Sequence, residues 1–150
     1  MSNNEEIIDE LEKSYWAEIE TIMNYLAHSV NLDGVKADII KKSLAADVNE
    51  ELNHAQMLAK RIKELGGVTP GSKKFKAHQE ELQPLEDTTD VISIVYNVIQ
   101  VEEEAIRQYK RIIKLCEAKD YVTQDLAVRL LADEESHKSE FESYLKEFRH

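Results

Sequence analysis

The chain has 150 residues, a net charge of −11, four glycines, two prolines and one cysteine. The acidity argues against nucleic-acid binding, because phosphate recognition needs clustered Lys and Arg, and a lone Cys116 excludes a disulfide framework or a four-cysteine metal site. The opening MSNNEEIIDE has neither the basic nor the apolar region of a secretory signal, and no run approaches the ~18 apolar residues of a membrane span, so a single-domain soluble cytoplasmic protein is expected.

Four helices follow from apolar periodicity. The first, about 4–32, carries Ile7, Leu11, Tyr15, Ile22, Tyr25, Leu26 and Leu32 near one face and stops at the Asp33-Gly34 turn signal. The second, about 36–65, carries Ile40, Leu44, Val48, Ala55, Leu58, Ile62 and Leu65, and Gly66-Gly67 caps it. Residues 66–89 hold both prolines and three of the four glycines, so they form a long connection; Phe75 in its KKFK stretch is expected to tuck against the helices. Thr89 or Asp90 then starts a third helix, about 90–118, with Val91, Ile94, Val95, Val98, Ile99, Ala105, Ile106, Tyr109, Ile112 and Ile113 on its stripe. The fourth, about 121–148, shows Leu126, Leu130, Phe141 and Leu145. Short turns make each outer pair an antiparallel hairpin. The long connection can return the chain along the length of the molecule. The expected architecture is therefore an all-α antiparallel four-helix bundle with one long crossover between its second and third helices.

Polar residues interrupt the apolar stripes in a repeated way. VNEELNHAQ places Glu51 and His54 on the second stripe, and LLADEESHK places Glu134 and His137 on the fourth. Residues three apart are neighbours on a helix, so each Glu-x-x-His pair can aim both heads at one spot. A single glutamate precedes each pair on its hairpin partner: Glu18 among Leu11, Tyr15, Ile22 and Tyr25, and Glu102 among Val95, Val98, Ile99, Ala105, Ile106 and Tyr109. In VEEEA only Glu102 has such neighbours, since Glu103 shares a face with Gln100 and Arg107 and Glu104 with Gln108 and Arg111.

Four ionised carboxylates cannot share an apolar core uncompensated, because buried unpaired charge costs several kcal/mol. Two divalent metals would supply matching positive charge, and carboxylate with imidazole suits iron or manganese and, less selectively, zinc. A metal-free bundle with buried Glu–His hydrogen bonds, whose acidic surface would bind a basic partner, is the alternative of another class. Glu147 and His150 repeat the spacing at the C-terminus, where no function is assigned.

The stretches AEIETIMNYLAH, ADVNEELNHAQMLAKRIKELGG, VEEEAIRQY and DYVTQDLAVRLLADEESH resemble the four helices of bacterioferritins, within the ferritin-like di-iron carboxylate superfamily. The resemblance covers nearly the whole chain. It implies Glu18 and Glu102 as terminal ligands, Glu51 and Glu134 as bridges, His54 and His137 as ligands, and Tyr25 at the redox-tyrosine position. It further implies two Fe per chain, with Mn or Zn as substitutes, Fe(II) oxidation by O2 or H2O2 for iron storage or detoxification, and a homo-oligomer without nucleic-acid or membrane partners. Leu52 stands where bacterioferritins place their haem-ligating Met, so no haem is expected. Ala46 and Glu50 replace a His and an Asp that assist iron entry, and no fifth helix is expected after His150. Rubrerythrins, whose resemblance would imply a di-iron peroxidase or oxygenase, carry a further glutamate where this chain has Ala105. His28, His78 and Cys116 receive no role, and Tyr109 is expected to be a core tyrosine.

Overall fold

The computed structural model describes residues 3–148. Four long helices dominate: α1 (Asn3–Asn31), α2 (Asp38–Glu64), α3 (Val91–Cys116) and α4 (Tyr121–Glu147), with short 3-10 turns at Val35–Ala37 and Ser72–Lys74 and no strand among the described residues. His150, the partner of Glu147 in the third Glu-x-x-His spacing, lies outside them.

The helix ends have local causes. Gly34 turns the chain between α1 and α2 with φ +100°, a region that side chains with a Cβ avoid. After α2, Gly66 takes φ +92°; its N–H donates to Lys63 O at 3.0 Å and that of Gly67 to Ile62 O at 2.9 Å, the paired bonds of a Schellman cap. Of the two caps expected for α3, Asp90 serves, accepting from the Ser93 N–H at 3.2 Å. Helix α3 ends at Cys116, earlier than the periodicity suggests, because Glu117 leaves helical geometry and Ala118 adopts φ +60°. Asp120 then caps α4 through the Thr123 N–H at 3.0 Å and also accepts from Arg61 on α2 at 3.0 Å.

α1 packs on α2 and α3 on α4 as antiparallel hairpins. Contacts of Tyr25 with Glu102 and Tyr109 with Glu18 show that α1 and α3 also run antiparallel. The crossover climbs α1: Gln79 lies beside Thr21 and Asn24, Leu82 beside His28, and Thr88 at Asp33. A buried polar strip fastens it. The Glu20 carboxylate accepts the backbone N–H groups of His78 and Gln79 at 2.8 and 2.7 Å, and the ring Nε2 of His28 bonds Leu82 O at 2.6 Å. This strip corrects the expected core face of α1. Leu26, placed on the stripe by periodicity, is 52% exposed, whereas Thr21, Asn24 and His28 are buried. The crossover covers their side of the helix, and no apolar pattern announces that. Phe75 is half-buried.

The apolar core divides into two blocks. One gathers Ile40, Leu44, Ile94, Val98 and Phe141. The other gathers Leu11, Leu58, Ile62, Ile112 and Leu130. A polar layer crosses the bundle between them.

Candidate metal centre

The layer contains Glu18, Glu51, His54, Glu102, Glu134 and His137, all buried. Each helix delivers its members because the 3.6-residue period returns the same face at three- and four-residue steps. The ligand-capable atoms fall into two overlapping groups, each with all its atoms within 4.8 Å of one another: Glu18, Glu51, His54 and Glu134 in one, Glu51, Glu102, Glu134 and His137 in the other. Glu51 and Glu134 belong to both. The Nδ1 of His54 lies 3.0 Å from Glu134 and 3.6 Å from both Glu18 and Glu51. The Nδ1 of His137 lies 3.3 Å from Glu51 and 3.8 Å from Glu102.

The outer nitrogens are already engaged. His54 Nε2 meets Asp133 at 2.9 Å, and His137 Nε2 meets Glu50 at 2.7 Å with Asp47 at 3.6 Å. With Nε2 engaged outward by a carboxylate, Nδ1 faces the inward glutamates and can bind a metal once its proton is displaced, the usual setting of a metal-bound histidine. Glu50, Asp133 and Asp47 were not among the sequence candidates. Glu50 and Asp133 each directly precede an inward glutamate, so helical periodicity points them away from the core. Only the length of the histidine ring brings Nε2 out to meet them.

Tyrosines hold the two single glutamates. Tyr25 on α1 donates to Glu102 on α3 at 2.5 Å, and Tyr109 on α3 donates to Glu18 on α1 at 2.8 Å. Each tyrosine stands seven residues after the glutamate of its own helix and grips that of the other. The site is thus nearly twofold symmetric, with Asp133 and Glu50 as equivalent outer acids. Asp47 breaks the pattern, because the equivalent position on α4 is Leu130.

The electrostatics follow from crowding. Burial and the charges of Glu102 and Glu51 push the Glu134 carboxyl well above its ordinary range. Burial would also raise Glu51, but the neighbouring His137 and His54 imidazoles bring it below its usual value. Burial would lower His137, yet Glu102 and Glu51 outweigh it and hold the ring protonated up to about 12. Burial likewise pushes Asp47 up to about 7, offset in part by the His137 charge. Both tyrosines are raised well above their normal range, chiefly by burial.

A decisive feature is what the layer leaves unsatisfied. Glu18 Oε2, Glu51 Oε1, His54 Nδ1, Glu102 Oε2, Glu134 Oε1 and His137 Nδ1 are all buried without a hydrogen-bond partner. Native proteins carry only a few such atoms per roughly 100 residues. Six of them in two overlapping groups, with four oxygens and two imidazole nitrogens, fit a pair of divalent cations.

Comparison with known proteins agrees with this architecture. The model of the ferritin-like domain matches residues 8–150. A bacterial ferritin of Neisseria meningitidis serogroup B is 34% identical over 148 residues, covering 97% of this chain and 90% of its own. Among solved structures, the dodecameric thioferritin of Bacteroides fragilis, a bacterioferritin-related protein, superposes with a TM-score of 0.88 at 27% identity, covering 97% of this chain and 87% of that one. The bacterioferritin of Desulfovibrio desulfuricans, whose structure shows a diiron site, gives a TM-score of 0.81 at 25% identity, covering 96% and 80%. The chain belongs to the ferritin-like family.

Proposed function

We propose that the protein is a ferroxidase that takes two Fe(II) per chain into the polar layer and oxidises them with O2 or H2O2, for iron storage or detoxification. The six unpartnered buried atoms carry this reading. A metal-free bundle would leave that layer paying the desolvation of every one of them. Iron is the substrate, and the chain's own groups bind and release it. Glu51 and Glu134 reach both positions and act as bridges. Glu18 with His54, and Glu102 with His137, complete one position each. Asp133 and Glu50 hold the rings in the ligating tautomer, while Tyr25 and Tyr109 hold the terminal carboxylates, with Tyr25 the candidate relay for electrons. Manganese or zinc suits the same donors. The B. fragilis relative is dodecameric, which supports a homo-oligomer here.

The first test is an anaerobic Fe(II) titration of the metal-free protein. About two tight sites per chain are expected from this ligand set, followed by rapid oxidation when O2 or H2O2 is admitted. No tight binding would refute the reading.

A further inference from the structure

A cavity of about 200 Å³ lies beside the polar layer, between α1 and α3, and all four inward glutamates line it. The remaining wall includes Ser14, Ala17, Thr21, Gln79, Ala105 and Gln108. Ala17 and Ala105 leave the space open, since larger side chains at those positions would occupy it. Most polar groups of this wall are committed. Gln79 Nε2 donates to the Thr21 hydroxyl at 2.7 Å, Gln79 Oε1 accepts from Asn24 at 3.0 Å, and Gln108 Nε2 donates to Glu10 O at 3.2 Å.

Ser14 is the exception. It stands one turn before Glu18 on the same face of α1, and it is only 2% exposed. Among the described residues lining the cavity, it is the neutral side chain with a buried polar atom left without a partner. Alanine would suit a helix interior better and would leave nothing unsatisfied. A buried, unpartnered hydroxyl on the wall of such a cavity is available to bond a small polar molecule there.

The chemistry of the wall narrows what that ligand is. Four converging carboxylates repel anions, and the volume admits only a small molecule. Dioxygen is almost apolar and cannot satisfy a hydroxyl. Hydrogen peroxide is small and neutral, and both donates and accepts hydrogen bonds. We propose that this cavity is a hydrogen peroxide subsite in which the Ser14 hydroxyl anchors the oxidant next to the paired iron positions. The inference rests on the ferroxidase reading and specifies its oxidant site. In the reaction the O–O bond breaks, two Fe(II) each give one electron, two protons enter from solvent, and two Fe(III) and two water molecules result.

The test compares the wild type with Ser14→Ala. In stopped-flow oxidation of two Fe(II) per chain, Ser14→Ala is expected to slow the reaction with H2O2 about tenfold, the equivalent of one lost hydrogen bond. The reaction with O2 should stay within about twofold. A second readout needs no turnover: crystals of the zinc-loaded protein, which is redox-inert, are soaked in H2O2. Two-atom density against Ser14 Oγ is expected in the wild type and is lost in Ser14→Ala. Water alone at that position, or equal slowing with both oxidants, overturns the subsite. Equal rates for wild type and Ser14→Ala with both oxidants, in a protein that binds two metals, overturn the subsite and leave the ferroxidase standing. Failure of the wild type to bind paired metal or to oxidise iron with either oxidant removes the ferroxidase reading, and the subsite with it.

Discussion

At the scale of single residues, on the ferroxidase reading, the polar layer is a set of groups whose protons metal must displace. Glu134 is held above its usual range by burial and by Glu102 and Glu51, which favours its neutral form in the metal-free protein. Glu134→Gln should therefore leave the thermal stability of the metal-free bundle within about 1 kcal/mol, while reducing the titrated metal from a pair to at most a single ion. An unchanged stoichiometry would count against the bridging role. Glu102 and Glu103 offer a paired control. Glu102 is buried, whereas Glu103 lies half-buried with Lys138 at 3.6 Å; Glu102→Ala should lose paired binding and Glu103→Ala should keep it. His137 sets the pH dependence. Its folded value, pushed up to about 12, lies above the ordinary 6.5. Its contribution to stability is then fully present below the unfolded value and is lost as pH rises towards the folded one. The metal-free protein should lose stability from pH 7 to 9, by at most about 1.4 kcal/mol per pH unit for one proton. Metal affinity should rise over the same interval, because binding expels that proton. Thermal melts and metal titrations at three pH values would show the two opposed slopes, or their absence.

At the scale of elements, the four helices were legible because apolar residues recur at helical spacing over many turns, and the inward choice of Glu102 over its neighbours followed from the same rule. The crossover was not. Its passage along α1 depends on hydrogen bonds rather than apolar contacts, and Glu20, Thr21, Asn24 and His28 look like ordinary solvent-facing residues until a second segment covers them. The outer acids were hidden for a related reason: a histidine reaches past the helix surface, so its second partner sits at positions that periodicity assigns to solvent. The Glu20 clamp has a measurable role. Glu20→Ala removes the acceptor of two backbone N–H groups, those of His78 and Gln79. This should lower stability by about 2 kcal/mol and speed proteolysis within residues 76–84. Metal stoichiometry should be unaffected. Loss of stability without faster cleavage there would show that the crossover is fastened elsewhere.

At the scale of the whole molecule, the polar layer separates two apolar blocks and buries unpartnered groups that bound metal would satisfy. Ligand that binds only the folded state adds about 2.7 kcal/mol per site at a hundredfold excess over Kd. For a chain of this length, each kcal/mol raises Tm by roughly 2–4 °C. Loading with zinc, which avoids oxidation, should therefore raise Tm by about 10 °C or more, and Glu134→Gln should forfeit at least half of that rise. A Tm indifferent to zinc would separate the layer from folding altogether.

The near-twofold arrangement reaches further than the site. Each hairpin carries one complete set of parts: a glutamate, a tyrosine two turns on that serves the other hairpin, and an acidic residue followed by Glu-x-x-His. Neither hairpin by itself holds a complete donor group, since both groups take Glu51 and Glu134 from opposite halves. The chain is laid out as two like hairpins in tandem, joined by the crossover. Asp47 marks where the halves differ: it sits beside His137, and the equivalent position on α4 is Leu130. The two donor groups are thus not interchangeable, and under the ferroxidase reading the first ion should favour one of them.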